Sequence, residues 1–453
     1  MRRRDAARWA LAGVLLLLLL AFVLRPMLPL RTLELEGGTI PLFLLATLLL
    51  ARAELPARAA AGLIVGSAVA LQVSALTMHP ASSDDDYRYA WDAKVQLAGI
   101  DPYRYVPAAP QLAGLRNSFF FPQHAGCSWP LPTGGCSAIN RPTVPTVYPP
   151  VAQAGFVLIR LVSFGGRGGH LPLQLAAACG AVLVTWLLVR RALARGRPLW
   201  TAAIWAWCPV TVIELGNTAH IDWLAVLLTV LALQSARRPG LAGALTGAAI
   251  AVKLYPALIL PSLLRRRPGL LIAAAAAVIV LSYLPHLIVA GGDVIGFLPG
   301  YLSEERASRN LLLRLLLPDP AATVLGLAVL LGSSVWAAMR SNAQAPEQTA
   351  VVLAAVALLV FTPEYGWYGL LLLALIAMTG AVEWLPVALA PSLLYLVQGD
   401  FGLSRALGQT LYGVAAIFAM LLAIRSARAK KHLALPGYRF LVAPRGLKAA
   451  RLR

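Results

Sequence analysis

The sequence predicts an all-α polytopic integral membrane protein with about 11–14 transmembrane helices. Apolar residues make up 59% of the chain and charged residues 13%, whereas soluble proteins average about 25% charged residues. Uncharged stretches such as 9–23, 171–189 and 269–289 each approach the roughly 20 residues that cross a bilayer. The alternating ten-residue segments typical of a transmembrane β-barrel do not occur.

The N-terminal region, residues 1–77, is expected to hold the first spans. Its basic start, "MRRR", predicts a cytoplasmic N-terminus. Arg25 and Pro26 follow the first apolar run where a signal peptide would carry small residues, so we interpret that run as an uncleaved span. The predicted spans lie near residues 8–24, 40–52 and 59–77.

Residues 78–170 are predicted to form a large first outer loop, because three crossings from a cytoplasmic start end outside. Between residues 78 and 146 its five aspartates are balanced by as many basic residues, which fits an extracytoplasmic segment. Residues 146–164 are long enough to span. We favour an interfacial helix there, opened by Pro149 and Pro150, because a crossing would put the basic stretch 190–198 outside.

Residues 171–425 are predicted to form the transmembrane bundle, with outer loops near 214–222, 290–310 and 362–368. The spans predicted within it lie near residues 171–190, 199–215, 221–236, 269–289, 320–339, 348–363, 366–380, 382–397 and 405–425. One crossing at 240–264 would place one of two flanking arginine clusters outside. A broken pair of short helices hinged at residues 253–256 keeps both inside, and Pro256 supplies the break.

Residues 426–453 contain no acidic residue and are predicted to form a basic cytoplasmic tail. The net charge of +20 could indicate nucleic-acid binding. Retention of positive charge on the cytoplasmic side of a membrane explains it better. We therefore expect membrane lipids, and no nucleic acid, among the partners; the oligomeric state stays open.

Two of the cysteines lie in the outer loop. A disulfide between Cys127 and Cys136 is plausible in an oxidising compartment, and two free thiols are the alternative. Cys179 and Cys208 sit in apolar stretches and are expected to be small core residues.

Three consecutive aspartates, Asp84, Asp85 and Asp86, stand where the third span ends. Adjacent carboxylates repel one another, so the pKa of at least one could be raised, which suits a carboxylate that acts as a base. The alternative is a solvated cap on the preceding span.

The segment "DDDYRYAWDAKVQLAGIDPYRY", followed by "INRPTVPTVYPP", resembles the first outer loop of bacterial GT-C class glycosyltransferases. More narrowly, it is similar to polyprenyl-phosphate-mannose-dependent mannosyltransferases of glycosyltransferase family 87. The matching elements are Ser83–Asp92, Gly99–Tyr103, Asn140–Pro142 and Tyr148–Pro150, while Ala93 replaces the usual glycine. Weaker likenesses follow in the same order: "GNTAHID", "AVKLYPALILP" and "TPEYGWYGLLLLAL".

The resemblance implies a catalytic aspartate in this loop. It falls on Asp85 or Asp84, and Asp85 is preferred because it stands two residues before Tyr87. Asp86 is the third choice. Such a base would take a proton from an acceptor hydroxyl during an inverting attack on the anomeric carbon.

Substrate-binding residues are implied in the same segment. Arg88 either binds phosphate or steadies the carboxylates, and its alternative is a salt bridge within the loop. Tyr87, Asp92 and Tyr103 belong to the matching motifs. The tyrosines could stack on sugar, although aromatic anchoring at the membrane interface is equally compatible.

Later motifs supply further candidates for the substrate site. Lys253 interrupts an apolar run beside a proline and could bind donor phosphate or orient the base; an ion pair in the bundle is the alternative. His220 and Asp222 could contact substrate or cap a turn. Arg309 could clamp phosphate unless neighbouring acids neutralise it. Tyr368 could line the sugar or lipid groove.

No cofactor is predicted, and no glycine-rich phosphate loop occurs. The aspartates could hold Mg²⁺ or Mn²⁺. A monophosphate leaving group needs less neutralisation than a nucleoside diphosphate, so a metal is not favoured.

The predicted function is transfer of a hexose, with mannose implied by the resemblance, from a polyprenyl-phosphate donor to an extracytoplasmic glycan or glycolipid acceptor at the bacterial plasma membrane. A secondary transporter or lipid-linked sugar flippase is the alternative, and it would be expected to show internal repeats and midplane ionisable sites. A scaffold protein would have no need of the aspartate cluster.

Overall fold

The structure is a computed structural model of the chain. It describes residues 3–27, 32–77, 79–80, 82–123, 129–132, 134–163, 169–304, 311–401 and 405–433.

The described residues are almost entirely helical, as predicted. The α-helices, in chain order, are α1 Arg3–Val23, α2 Thr32–Arg52, α3 Ala57–Ala75, α4 Asp85–Leu97, α5 Pro150–Val162, α6 Leu171–Ala194, α7 Trp200–Ala206, α8 Pro209–Thr211, α9 Asp222–Gln234, α10 Pro239–Ile250, α11 Pro268–Ala290, α12 Leu298–Glu304, α13 Asp319–Arg340, α14 Glu347–Phe361, α15 Gly369–Thr379, α16 Leu385–Phe401 and α17 Arg405–Leu433.

Shorter elements join these helices. A π-helix, Val212–Asn217, continues α8. Two strands, β1 Trp129–Pro130 and β2 Cys136–Ser137, pair antiparallel in the outer loop. The 3₁₀ helices are Arg25–Met27, Pro110–Leu115, Tyr255–Leu263, Gly291–Ile295, Leu313–Leu315, Gly366–Tyr368 and Val382–Trp384.

Seven helices are long and apolar enough to cross a membrane, and a bent pair raises the number to eight in the described chain. Five shorter apolar helices of 10–17 residues accompany them; three of these, α14, α15 and α16, were among the predicted spans. The chain is therefore a multi-pass, all-α membrane protein.

The predicted single span at 199–215 is wrong. Helix α7 ends at Ala206, and Pro209, which has no N–H to donate, starts the next element. The pair Pro209–Asn217 and Asp222–Gln234 is bent by 119°. The chain therefore turns back near residues 218–221 and places His220 at the bend.

The predicted break near residues 253–256 is confirmed. Helix α10 ends at Ile250, and a 3₁₀ helix begins at Tyr255. Helix α10 then packs against α11 through glycines: a Cβ added at Gly243 or Gly247 would stand 2.2 or 2.4 Å from a carbonyl oxygen of α11. Such small residues let helix backbones approach closely in membranes.

The outer loop forms a packed unit around α4 and α5. Trp91, Phe120 and Ile139 are buried together in it. Helix α5 has 13 residues, fewer than a span needs, and its Leu158 and Leu161 are exposed. These features fit the interfacial helix expected there, whose position in a membrane stays a prediction.

Two further expectations concern the loop cysteines and the tail. Cys136 is disulfide-bonded, whereas Cys179 and Cys208 are free; Cys127 lies outside the described residues. Cys208 is buried, as expected of a core residue, but the same expectation is wrong for Cys179, which is exposed. Helix α17 continues to Leu433, so the region expected to begin as a tail at residue 426 starts as helix.

Candidate active site

A cavity of about 840 Å³ lies beside the start of α4. Its polar part comes from α4 and the following loop, and its apolar part from α14, α15 and the break after α10. Its polar lining includes Asp84, Asp85, Arg88, Trp129, Asn140, Arg141, Tyr148 and Lys253. Its apolar lining includes Leu254, Leu258, Ala354, Ala357, Leu358, Phe361, Leu371 and Leu372.

The three aspartates diverge because α4 begins among them. Asp84 is the residue before the helix, and Asp85 and Asp86 form its first turn. Asp84 and Asp85 line the cavity. Asp86 is buried and bound to His170, away from the lining residues. Acidic residues at a helix start are also favoured by the helix dipole.

Asp85 is held by side chains from the loop and its own helix. Asn140 Nδ2 donates to Asp85 Oδ1 at 2.5 Å, and the Tyr148 hydroxyl donates to Oδ2 at 2.8 Å. The Tyr89 hydroxyl is 3.5 Å from Oδ2. These contacts fix a carboxylate that still faces the cavity, with its side chain 16% exposed.

Asp84 shares Asn140 with Asp85. Trp129 Nε1 donates to Asp84 Oδ2 at 2.6 Å, and Asn140 Nδ2 donates to Oδ1 at 3.0 Å. Burial raises the pKa of Asp84 above its usual value, and the negative charge of Asp85 adds to the rise, while the two donors oppose it.

Arg88 and Asp92 bind each other one helical turn apart. Arg88 Nε is 3.1 Å from Asp92 Oδ1, and Arg88 also donates to the Val144 carbonyl at 3.2 Å. Gln153 of α5 donates to Asp92 Oδ2 at 2.9 Å. Arg88 reaches the cavity, but Asp92 is buried and is not among the lining residues. The contacts favour the salt bridge within the loop.

The two loop tyrosines lie in different places. Tyr103 lines the cavity and donates from its hydroxyl to the Tyr148 carbonyl at 2.7 Å. Burial raises the pKa of Tyr103, so it stays a neutral donor. Tyr87 packs against Phe119 and His170 and is not among the cavity-lining residues.

His220 lies behind Asp85 at the bend before α9. Its Nε2 is 4.0 Å from Asp85 Oδ2, and its Nδ1 is 2.9 Å from Glu214 Oε2 on the π-helix. The imidazole ring lies against Trp367, with 4.0 Å between ring centroids. His220 and Glu214 are both fully buried. A π-helix often marks a functional site.

Lys253 and Asp222 form an ion pair at the cavity wall. Lys253 Nζ is 2.6 Å from Asp222 Oδ2 and lies over the rings of Trp367 and Tyr368 at 5.4 and 5.9 Å. Tyr368 also lines the cavity, and its hydroxyl is 2.7 Å from that of Tyr301. The break after α10 thus turns Lys253 towards the cavity.

Several features of the site were missed by the sequence reasoning. Asn140 and Tyr148 stood inside motifs that it singled out, and Glu214 stood at the start of the predicted outer loop 214–222. Arg141 lines the cavity and pairs with Glu304 at 2.7 Å; it lay inside the matching element Asn140–Pro142, but the sequence analysis assigned it no role. Arg309 lies outside the described residues.

Within the described ranges, no group of three or more His, Cys, Asp or Glu side chains is arranged to hold a metal ion. Asp84 and Asp85 instead receive donors from Trp129, Asn140 and Tyr148. The expectation that the protein needs no cofactor stays a prediction.

The family model described as glycosyltransferase family 87 matches residues 146–363. The match contains Tyr148, Glu214, His220 and Lys253 of the site and begins after the three aspartates. No curated protein and no solved structure matches the chain.

Proposed function

We propose that this multi-pass membrane protein transfers a hexose, with mannose the first candidate, from a polyprenyl-phosphate donor to a glycan or glycolipid. The match of the glycosyltransferase family 87 model to residues 146–363 supports this proposal. The observation that carries this proposal is one cavity that is lined both by Asp85, a carboxylate held by hydrogen bonds, and by a long apolar wall.

Asp85 is the proposed general base. Its carboxylate takes the proton of the acceptor hydroxyl while the hydroxyl oxygen bonds to the anomeric carbon of the donor. The bond from that carbon to the phosphate oxygen breaks, and the electron pair leaves with the polyprenyl phosphate. Attack opposite the leaving group inverts the anomeric centre, so no covalent sugar–enzyme intermediate is needed.

His220 and Glu214 support this base from behind. With Nδ1 bound to Glu214, the other nitrogen of His220 faces Asp85 across 4.0 Å. We assign His220 to stabilise the Asp85 carboxylate electrostatically, and Asp85, which faces the cavity, releases its proton to water there after transfer and is thereby restored as the base. Glu214 fixes the ring and stabilises its protonated form.

The departing phosphate needs positive charge. Lys253 and Arg141 both line the cavity, and each is held by one carboxylate, from Asp222 and Glu304. Donor phosphate enters between these cations and adds charge-assisted hydrogen bonds. The apolar wall takes the first isoprenoid units of the donor.

The proposed location is the bacterial plasma membrane, with the cavity on the extracytoplasmic side and both termini in the cytoplasm. The prediction of an outer loop with balanced charge supports this side. No metal takes part in the proposal, since a monophosphate leaving group can be neutralised by the two cations, so a chelator is expected to leave the activity unchanged.

The decisive experiment incubates the purified protein with labelled polyprenyl phosphate mannose and a panel of lipid and glycan acceptors. Asp85→Asn keeps the shape of the side chain and removes its basicity. We expect it to lower kcat by on the order of 10²–10⁴-fold while the donor still binds.

Asp293→Asn is the matched control, because Asp293 is exposed on the 3₁₀ helix Gly291–Ile295 and is not among the cavity-lining residues. Equal activity of Asp85→Asn and the wild type would remove Asp85 from the mechanism. Movement of the lipid-linked sugar across vesicles without transfer to any acceptor would identify a flippase instead.

A further inference from the structure

A second cavity, of about 630 Å³, is lined by three arginines and one short loop. Arg237 comes from the connection between α9 and α10. Arg265 and Arg266 come from the connection that leads into α11. The loop 341–344, between α13 and α14, completes the lining. We call this space the arginine cavity.

The arginine cavity lies at the other end of the helices from the candidate active site. Helix α14 begins at Glu347, next to the loop 341–344, and ends at Phe361, which lines the first cavity. Its 15 residues span about 22 Å. Helix α11 likewise starts beside Arg266 and carries Tyr283 to the active site. The two cavities are therefore separate sites.

The three guanidinium groups form no ion pair with a carboxylate in the described part of the chain. The nearest acid in sequence, Glu347, is already bound to Arg191 at 2.5 Å and Arg195 at 2.9 Å. None of the described lining residues is acidic. The cavity is thus positively charged and has no internal counter-ion.

The rest of the lining can also bind an anion. Asn342 and Gln344 contribute amides and Ser341 a hydroxyl. Arg266 Nη1 is within 3.4 Å of the Arg237 carbonyl, so the first two connections are joined. Gln344 is fixed from both sides, because its N–H donates to Asn342 Oδ1 at 2.9 Å and its carbonyl accepts from Arg195 at 2.7 Å.

We propose that the arginine cavity binds the phosphate group of an anionic phospholipid. Guanidinium forks match phosphate oxygens in pairs, and basic pockets between membrane helices receive phosphorylated headgroups. Retention of positive charge on the cytoplasmic side explains why arginines gather at this end, but it does not require that they line a cavity. Free phosphate shares this chemistry and is distinguished by the experiment.

The experiment measures binding of dioleoylphosphatidylglycerol to the full-length protein in detergent by native mass spectrometry, with dioleoylphosphatidylcholine as the neutral comparison. The test variant is Arg237→Gln/Arg265→Gln/Arg266→Gln. The matched control is Arg238→Gln/Arg267→Gln/Arg340→Gln, which removes the same charge from exposed arginines that are not among the cavity-lining residues.

We expect the test variant to bind the anionic lipid on the order of 100-fold more weakly than the wild type and the control to bind nearly as well as the wild type. Equal losses of lipid affinity in the test and control variants would mean that the overall positive charge attracts the lipid, and this result would overturn the proposal. Undiminished binding by the test variant would overturn it too.

A charge-conserving variant, Arg237→Lys/Arg265→Lys/Arg266→Lys, guards against misfolding of the test variant. It keeps the net charge and loses the paired donors, so we expect weaker binding than in the wild type; unchanged binding would rule out a shaped site. Competition with sodium phosphate at millimolar concentration, at matched ionic strength, shows whether the cavity binds the lipid headgroup or free phosphate. If phosphate displaces the lipid, free phosphate is a ligand of the arginine cavity. If it does not, the ligand is the headgroup of the anionic lipid.

Discussion

Asp85 differs from Asp84 in the donors that surround it, although the two are adjacent in the chain. The Tyr148 hydroxyl and Asn140 both reach Asp85, while Trp129 and Asn140 reach Asp84. The motif spacing predicted that one of the pair faces substrate. It favoured Asp85 but could not predict which donors hold each carboxylate, because those donors come from residues about 45–63 positions away in the chain.

The Tyr148 hydroxyl is expected to position Asp85 for proton transfer. Tyr148→Phe removes a donor at 2.8 Å and should lower kcat roughly 10- to 150-fold, because one well-formed hydrogen bond to a charged group is worth about 1.5–3 kcal/mol. Tyr89→Phe removes a contact at 3.5 Å, the limit for a hydrogen bond, and should have a smaller effect. A larger effect for Tyr89→Phe would contradict this assignment of roles.

Trp129 stabilises the ionised form of Asp84, so its removal should act in a pH-dependent way. Trp129→Phe is expected to lower the free energy of unfolding by about 1.5–3 kcal/mol at pH values above the raised pKa of Asp84. Below that pKa the carboxyl is protonated and less is lost. Apparent Tm by circular dichroism in detergent, measured across pH, checks this.

The control for Trp129→Phe is Trp9→Phe, since Trp9 is 73% exposed. It should leave the apparent Tm unchanged at every pH. A loss for Trp129→Phe that is the same at acidic and alkaline pH would show that packing, rather than the bond to Asp84, is responsible.

At the scale of elements, the close contact between α10 and α11 depends on glycine. Gly247→Ala would bring a Cβ to 2.4 Å from the Ala275 carbonyl oxygen, so the helices must separate. We expect a loss of about 1–3 kcal/mol of stability, the usual range for an overpacked interface. Thermal unfolding in detergent measures it.

Gly240→Ala is the comparison on the same helix. Its added Cβ would meet only Leu270 carbons at 3.9 Å or more, which is ordinary contact. Stability should therefore hold or rise slightly, as alanine favours helix over glycine. Equal losses for the two variants would mean that helix propensity, not the interhelical contact, governs this region.

The elements were predicted unevenly from the sequence. Pro256 and Lys253 marked the break after α10 correctly, because proline acts on its own neighbours. The bend before α9 was expected only as a turn between straight spans. Its π-helix carries Glu214, which contacts His220, and His220 in turn packs against Trp367. A contact between His220 and Trp367, so far apart in the chain, leaves no periodic signal in the sequence.

At the scale of the whole molecule, the proposed sidedness can be tested with engineered cysteines. Asp293 and Arg340 are exposed near opposite ends of the bundle. In a background with Cys179 and Cys208 replaced by Ala, an impermeant maleimide added to intact cells should label Asp293→Cys. It should label Arg340→Cys only after permeabilisation.

The reversed labelling pattern would place Asp84 and Asp85 in the cytoplasm and overturn the proposed side of the reaction. The fold class itself followed from composition, since hydropathy alone distinguishes a multi-pass chain. The number of full crossings could not be predicted from composition, because α14, α15 and α16 are apolar yet shorter than the helices that are long enough to cross a membrane.

Gln153 of α5 connects several parts of the outer loop through side-chain hydrogen bonds. It accepts from Gln96 at 2.8 Å and donates to Asp92 at 2.9 Å and to Thr146 at 3.0 Å. The helix that carries Asp85 and the segment that carries Tyr148 are therefore locked together before any ligand arrives. A rigid inhibitor shaped like the sugar during transfer would therefore bind a preorganised site, and little binding free energy would be spent on rearranging the protein.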